Sequence, residues 1–115
     1  MTSGKDYRPY LFDILEAIDR INDYTAKMDM NTFLENKMVQ DAVTRRIEII
    51  GEAVSRLPED FKKKNPSIPW QTIKDMRNKL IHDYGYVDHE LVWGVVINEI
   101  PSLENKIKKI INNQK

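Results

Sequence analysis

The stretch KMVQDAVTRRIEIIGEAVSRLP (37–58) decides the fold of this 115-residue chain. Its apolar residues recur every three or four positions, which is the pattern of an α-helix with one buried face. We predict that the helix begins near Asn36 to Met38. It ends at Pro58, because proline lacks the backbone N–H and its ring clashes with the preceding turn. The buried face is formed by Val39, Ala42, Val43, Ile47, Ile50, Ala53, Val54 and Leu57.

The segment before this helix shows the same period from Pro9 onward, so we predict a first helix there. Proline suits a first helical turn, where its missing N–H is not needed. The apolar face of this predicted helix is formed by Leu11, Ile14, Leu15, Ile18, Ile21, Thr25 and Met28.

Two more helices are predicted after Pro58. The third begins at Pro69 or Trp70 and ends by Tyr84–Gly85, because glycine readily takes the left-handed conformation beyond a helix end. Asp88 can cap the fourth helix, which continues to the C-terminus. Pro101 should kink or split that helix. The fourth apolar face is formed by Val92 or Trp93, then Val96, Ile97, Ile100, Leu103, Ile107 and Ile110.

Long amphipathic helices with short connections predict an all-α fold, an up-and-down four-helix bundle with an additional short helix or a kinked C-terminal helix. The linker-like segment PEDFKKKNPSIP (58–69) could hold a short helical turn around Phe61. No internal repeat or domain boundary is visible, so we expect residues 1–115 to form a single domain. Both Trp70 and Trp93 are expected in the core.

Composition narrows the possible functions. Lys+Arg and Asp+Glu both number 18, so any contact with nucleic acid must come from a local cluster of charge. The chain has no cysteine, which excludes a disulfide framework and a thiolate zinc site. No apolar run approaches the length of a membrane span, and no signal-peptide pattern opens the chain. We therefore expect a cytoplasmic protein that does not bind membranes.

The third predicted helix ends in RNKLIHDYGY (77–86), where ionisable and aromatic side chains are concentrated. At about 100° per residue, Asn78 and His82 share one line, with Asp75 one turn earlier. Arg77 and His82 point roughly 140° apart by the same geometry. If these two act together, either the helix end unwinds or a second copy of the chain completes the site, as in a symmetric dimer.

The second helix carries its own polar line, which includes Arg45, Glu48 and Glu52. The two glutamates are four residues apart, and like charges at that spacing are unfavourable. We expect an arginine to pair with one of them and to hold the cleft in shape. The alternative is an ordinary solvated helix face, in which His82 caps the helix end and Tyr84 is an aromatic residue at the edge of the core. His89, beside the predicted cap, is expected at the surface.

Arginine and histidine together suit phosphodiester chemistry. An arginine fork holds a phosphate and stabilises the charge that develops on it. A histidine can transfer protons near neutral pH. Asn78 could orient the imidazole or the phosphate. The spacing of the two histidines gives no metal-ligand pattern, so neither a metal nor another cofactor is predicted.

These residues form the pattern R-x4-H-x-Y from Arg77 through His82 to Tyr84, which resembles HEPN domains of the HepT-like type. The similarity extends to TRRIEIIGEAV (44–54), IPWQTIKDMRNKLIHDYGYVD (68–88) and ELVWGVVINEIPSLENKI (90–107). The resemblance implies a HEPN helical bundle and a homodimer in which two motifs form a metal-independent ribonuclease site with Arg77 and His82 as catalytic residues.

The resemblance also implies a partner. HepT-like proteins are toxins of two-gene toxin–antitoxin systems, called HEPN/MNT or type VII. An MntA-like nucleotidyltransferase neutralises the toxin by transferring AMP from ATP to the motif tyrosine, here Tyr84. A second interpretation is a HEPN module that binds a nucleotidyltransferase or a nucleotide and cuts nothing. The zero net charge favours that interpretation, and the intact motif favours the ribonuclease.

Overall fold

Helices account for nearly all of the part of the chain that the structure describes. The computed structural model describes residues 6–82 and 87–113, apart from the side chains of residues 81 and 82. These residues contain no strand, so the predicted all-α class is confirmed. In chain order the elements are α1 (Arg8–Thr25), α2 (Met30–Leu34), α3 (Lys37–Arg56), α4 (Glu59–Lys64), α5 (Trp70–His82), α6 (His89–Gly94), a π turn (Val95–Glu99) and α7 (Ile100–Asn113).

Successive long helices run in opposite directions. Tyr7, just before α1, stacks on Phe61 of α4 with ring centroids 4.3 Å apart, so α1 begins at the end of the bundle where α3 finishes. Near the other end of the chain, the Lys106 Nζ of α7 donates to the Ser67 carbonyl at 2.9 Å. The last helix therefore returns to the α4 end. This order confirms the predicted up-and-down HEPN-type bundle.

The core is built from the apolar faces that the sequence predicts, with one correction. Ile97 was predicted on the fourth face and is 52% exposed, because it lies in the π turn, where the α-helical period does not hold. Helix α3 is central, because it packs against both α1 and α5. Burying a large aliphatic side chain contributes about 1.5–3 kcal/mol, so these faces hold the long helices together. Leu15, Met28 and Val39 lie half-buried at the margin. The fully buried large side chains are Leu11, Ile14, Ile18, Ile21, Phe33, Val43, Ile47, Ile50, Val54, Ile68, Ile100 and Ile107.

Side-chain caps begin several helices. The Asp88 carboxylate accepts hydrogen bonds from the backbone N–H groups of Glu90 and Leu91, which confirms the predicted cap of the fourth helical segment. Helix α2 was not predicted. Asp29 caps it by accepting from the Thr32 backbone N–H at 2.8 Å, and this hydrogen bond lowers the pKa of the Asp29 carboxyl.

Pro101 disturbs the last helix without dividing it. The break in the α-helical pattern is the π turn Val95–Glu99, in which the Ile100 N–H donates to the Val95 carbonyl five residues earlier. Proline cannot donate, and its ring crowds the carbonyl four residues before it. A wider turn directly before Pro101 accommodates that ring within a continuous helical path.

Four local predictions have different outcomes. The turn around Phe61 is present as α4, and Trp70 is buried as expected. Trp93 is only half-buried, packed on Phe33 with ring centroids 5.1 Å apart. The surface placement of His89 is wrong, because the first turn of α6 directs its ring edge-on towards Phe33 at 6.5 Å. None of the helices in the described ranges is both long and apolar enough to cross a membrane.

Candidate active site

Helices α3 and α5 meet closely at Gly51 and Arg77. Gly51 is buried, and a Cβ atom built on it would overlap the Cβ and Cγ atoms of Arg77 and lie 3.1 Å from its Cδ. Overlap with atoms so near the backbone cannot be relieved by a simple rotation of the arginine head group. The absence of a side chain at position 51 therefore lets the arginine stem lie directly on α3.

The guanidinium of Arg77 has an incomplete set of partners. Its Nη1 donates to the Asn78 Oδ1 at 2.9 Å, and its Nη2 lies 3.7 Å from the Glu52 Oε2. The second distance is an ionic contact and too long for a good hydrogen bond. The Nε is buried and has no hydrogen-bond partner. About a quarter of the side chain, 26%, remains exposed. The cation is therefore held in place, but not all of its N–H groups have hydrogen-bond acceptors.

The two glutamates of α3 pair with different arginines. Glu48 binds Arg45 on its own helix, with 2.9 Å between Oε1 and Nη1, whereas Glu52 contacts Arg77 across the helix interface. The repulsion between the glutamates is thus offset by one cation on each helix. The expected pairing of a glutamate with an arginine is present, and its function in a cleft stays a prediction.

The polar neighbours on α5 separate into two groups. Asn78 is half-buried, and its amide oxygen is occupied by Arg77. Asp75 is exposed, and it accepts a hydrogen bond from Gln71 one turn earlier at 2.9 Å. The structure therefore brings Asn78, but not Asp75, into contact with the arginine.

His82 is the last residue of α5, and its side chain lies outside the described residues. Tyr84 and the predicted helix end at Gly85 lie entirely outside them. The backbone is helical from Arg77 through His82. This rules out the alternative in which the helix unwinds between these two residues, so their backbone positions lie roughly 140° apart around the helix axis.

Sequence reasoning missed the role of Gly51. The available signal was a glycine in the middle of a long apolar helix face, where it costs helix stability relative to alanine and usually has a packing reason. No group of three or more histidine, cysteine, aspartate or glutamate side chains in the described part of the chain is arranged to hold a metal ion.

Comparison with known proteins gives a consistent result. The family model described as ribonuclease HepT-like matches residues 14–110. A Methanocaldococcus jannaschii protein named as a candidate RNase is 45% identical over 109 residues, covering 95% of this chain and 90% of that protein. A Thermococcus cleftensis protein named a probable ribonuclease HepT is 44% identical over 106 residues, covering 92% of this chain and 96% of that protein.

A bacterial relative extends the similarity. A Caldanaerobacter subterraneus protein named as a candidate RNase is 37% identical over 111 residues, which cover 96% of this chain and 99% of that protein. No solved structure matches the chain.

Proposed function

Because the chain belongs to the HepT-like ribonuclease family, we propose that it is a metal-independent endoribonuclease whose site joins Arg77 and His82 across a homodimer. The observation that carries the proposal is the close packing of the Arg77 side chain on Gly51. There the cation is fixed by Glu52 and Asn78 and still has a buried Nε without a partner.

The chemistry follows from these groups. A histidine base removes the proton of the RNA 2′-OH, and the oxygen attacks the adjacent phosphorus. The bond from phosphorus to the 5′-oxygen then breaks, and a protonated histidine donates a proton to that leaving oxygen. The products are a 2′,3′-cyclic phosphate and a 5′-hydroxyl end. Arg77 stabilises the charge that gathers on the phosphoryl oxygens.

A homodimer would supply what one chain lacks. The reaction uses one base and one acid, and two copies of His82 can fill both roles. One helical segment places Arg77 and His82 at positions roughly 140° apart around its axis, so a second copy placed symmetrically can bring its own His82 towards the first copy's Arg77. Sedimentation at micromolar concentration tests this step, and a strictly monomeric active protein would contradict it.

The cleavage test uses purified protein, single-stranded RNA and EDTA. The wild type should cut the RNA and leave 2′,3′-cyclic phosphate ends. The variants His82→Ala and Arg77→Ala should each lose about 10²–10⁴-fold in rate, as for removal of a general acid–base or of a charge-stabilising donor. An inert wild type, or undiminished cutting by His82→Ala, would refute the ribonuclease proposal and favour a module that only binds its partner.

We further propose that an MntA-like nucleotidyltransferase switches this toxin off at Tyr84. The tyrosine oxygen would attack the α-phosphorus of ATP, lose its proton and expel pyrophosphate. The added AMP brings an anionic phosphate and a bulky nucleoside to a position two residues beyond His82, where both would oppose RNA binding. Incubation with ATP and the transferase should raise the intact mass by AMP units. Undiminished uptake by Tyr84→Phe would move the target elsewhere.

A further inference from the structure

A groove lies between α4 and the first turns of α5, on the N-terminal side of Arg77 along α5. Its volume is about 430 Å³. Val54, Ile68 and Trp70 form its buried floor, and its charged lining residues are three lysines and Glu59. We call it the basic groove, and its lysines are Lys62, Lys63 and Lys74.

The lysines of the basic groove differ in their availability. Lys62 is tied down, because its Nζ lies 3.1 Å from the Glu59 carboxylate and 3.3 Å from the Val54 carbonyl, to which it donates. Lys63 and Lys74 are exposed and make no ion pair or side-chain hydrogen bond with the described residues. These two ammonium groups are therefore free to bind an anion.

This part of the chain is locally basic although the whole protein is neutral. Between residues 56 and 74 there are five basic residues and only two acidic ones. Local excess charge of this kind is what a neutral protein needs in order to hold a polyanion. The excess is formed by Arg56, Lys62, Lys63, Lys64 and Lys74 against Glu59 and Asp60.

The basic groove is aligned with the proposed active site. Lys74 precedes Arg77 by three residues on α5, about 4.5 Å along the helix axis. Val54 in the floor follows Gly51 by three residues on α3, in the same direction away from the site. A strand that leaves Arg77 towards the N-terminus of α5 would therefore next meet Lys74, which lines the groove.

We propose that the basic groove binds the sugar–phosphate backbone of a single-stranded RNA substrate beside the scissile phosphate, with Lys63 and Lys74 contacting phosphates. A basic groove that follows the backbone is a feature by which proteins bind single-stranded nucleic acid without reading its sequence. This inference rests on the proposed ribonuclease function and adds the path of its substrate.

The test compares two double variants in a His82→Ala background, so that binding is measured without cleavage. Lys63→Gln/Lys74→Gln alters the basic groove. The control, Lys27→Gln/Lys37→Gln, removes the same charge from exposed lysines beside α2, at the opposite end of the bundle. All four positions are exposed and lack ion pairs with the described residues, so both proteins should fold normally.

Anisotropy of a labelled 20-nucleotide polyuridine RNA is followed over a range of KCl concentrations. For the groove variant, the slope of log Kd against log salt should fall by about 0.7 for each lysine, or about 1.4 in all, and the affinity in 0.1 M KCl about tenfold. The control should stay within about twofold of its parent. Equal slopes and affinities for the two variants would overturn the inference, as would an effect confined to binding of the nucleotidyltransferase.

Cleavage by the same double variants with His82 intact separates this result from that of the proposed function. The groove variant should raise the KM for the 20-nucleotide RNA, and the control variant should keep the wild-type kcat and KM. If the wild type cuts and both double variants behave alike, only the groove assignment fails. If the wild type cuts nothing and the groove variant alone loses RNA affinity, only the ribonuclease proposal fails.

Discussion

Gly51 and Gly94 are both inside helical segments, yet their surroundings are opposite. A methyl group on Gly51 would collide with the stem of Arg77, whereas one on Gly94 would meet no neighbouring atom within 4 Å. Glycine is unfavourable in helices generally, so its presence at position 51 needs a reason. The close packing of Arg77 against position 51 supplies one. Packing against Arg77 therefore requires glycine at position 51, whereas packing does not require it at position 94.

Gly51→Ala should have the largest effect. Overpacking at the α3–α5 contact costs about 1–3 kcal/mol, partly offset by the better helix propensity of alanine. Displacing the guanidinium by about 1 Å should slow RNA cleavage on the order of 10²-fold. Denaturant unfolding and single-turnover cleavage measure the two effects. A folded variant that cuts at the wild-type rate would break the link between Gly51 and Arg77.

Glu52→Gln should have a smaller effect. This variant isolates the electrostatic contribution to the position of the Arg77 guanidinium. The Arg77 pair is partly exposed, so unfolding free energy should change by less than about 1 kcal/mol. Cleavage should slow severalfold, because the guanidinium loses a positioning contact. The matched control is Glu48→Gln, whose partner Arg45 does not contact Arg77 among the bonds described. Identical rates for both variants would remove Glu52 from the site.

Gly94→Ala should have the smallest effect, and in the opposite direction. A methyl group in open space on a helix should raise the free energy of unfolding by about 0.4–1 kcal/mol. Cleavage should be unchanged. A loss of stability or activity would show that position 94 needs glycine for a reason that open space does not reveal, such as the neighbouring π turn.

Much of the fold could be predicted, because helical periodicity and caps are local signals. The stripe of α3, its end before Pro58 and the Asp88 cap are all present. Helix α2 escaped prediction because five residues cannot display a period. Pro101 predicted a disturbance of the last helix but not its form. The hydrogen bonds of the π turn depend on how the chain accommodates the proline ring.

The candidate site was less predictable than the fold. Arg77 and Asn78 could be singled out from residue chemistry, but their mutual hydrogen bond depends on side-chain geometry. Asp75 shares a helical line with Asn78 and still turns to Gln71. The importance of Gly51 comes from two helices distant in sequence, so no periodicity within α3 could reveal it.

The two tryptophans give this molecule a built-in optical probe. The Trp70 indole N–H donates to the carbonyls of Lys62 and Asn65, in the floor of the basic groove, while Trp93 packs on Phe33 near the opposite end. Replacing Trp93 by phenylalanine would leave emission from Trp70 alone. That single fluorophore would report groove occupancy without any label, and on the time scale of mixing experiments.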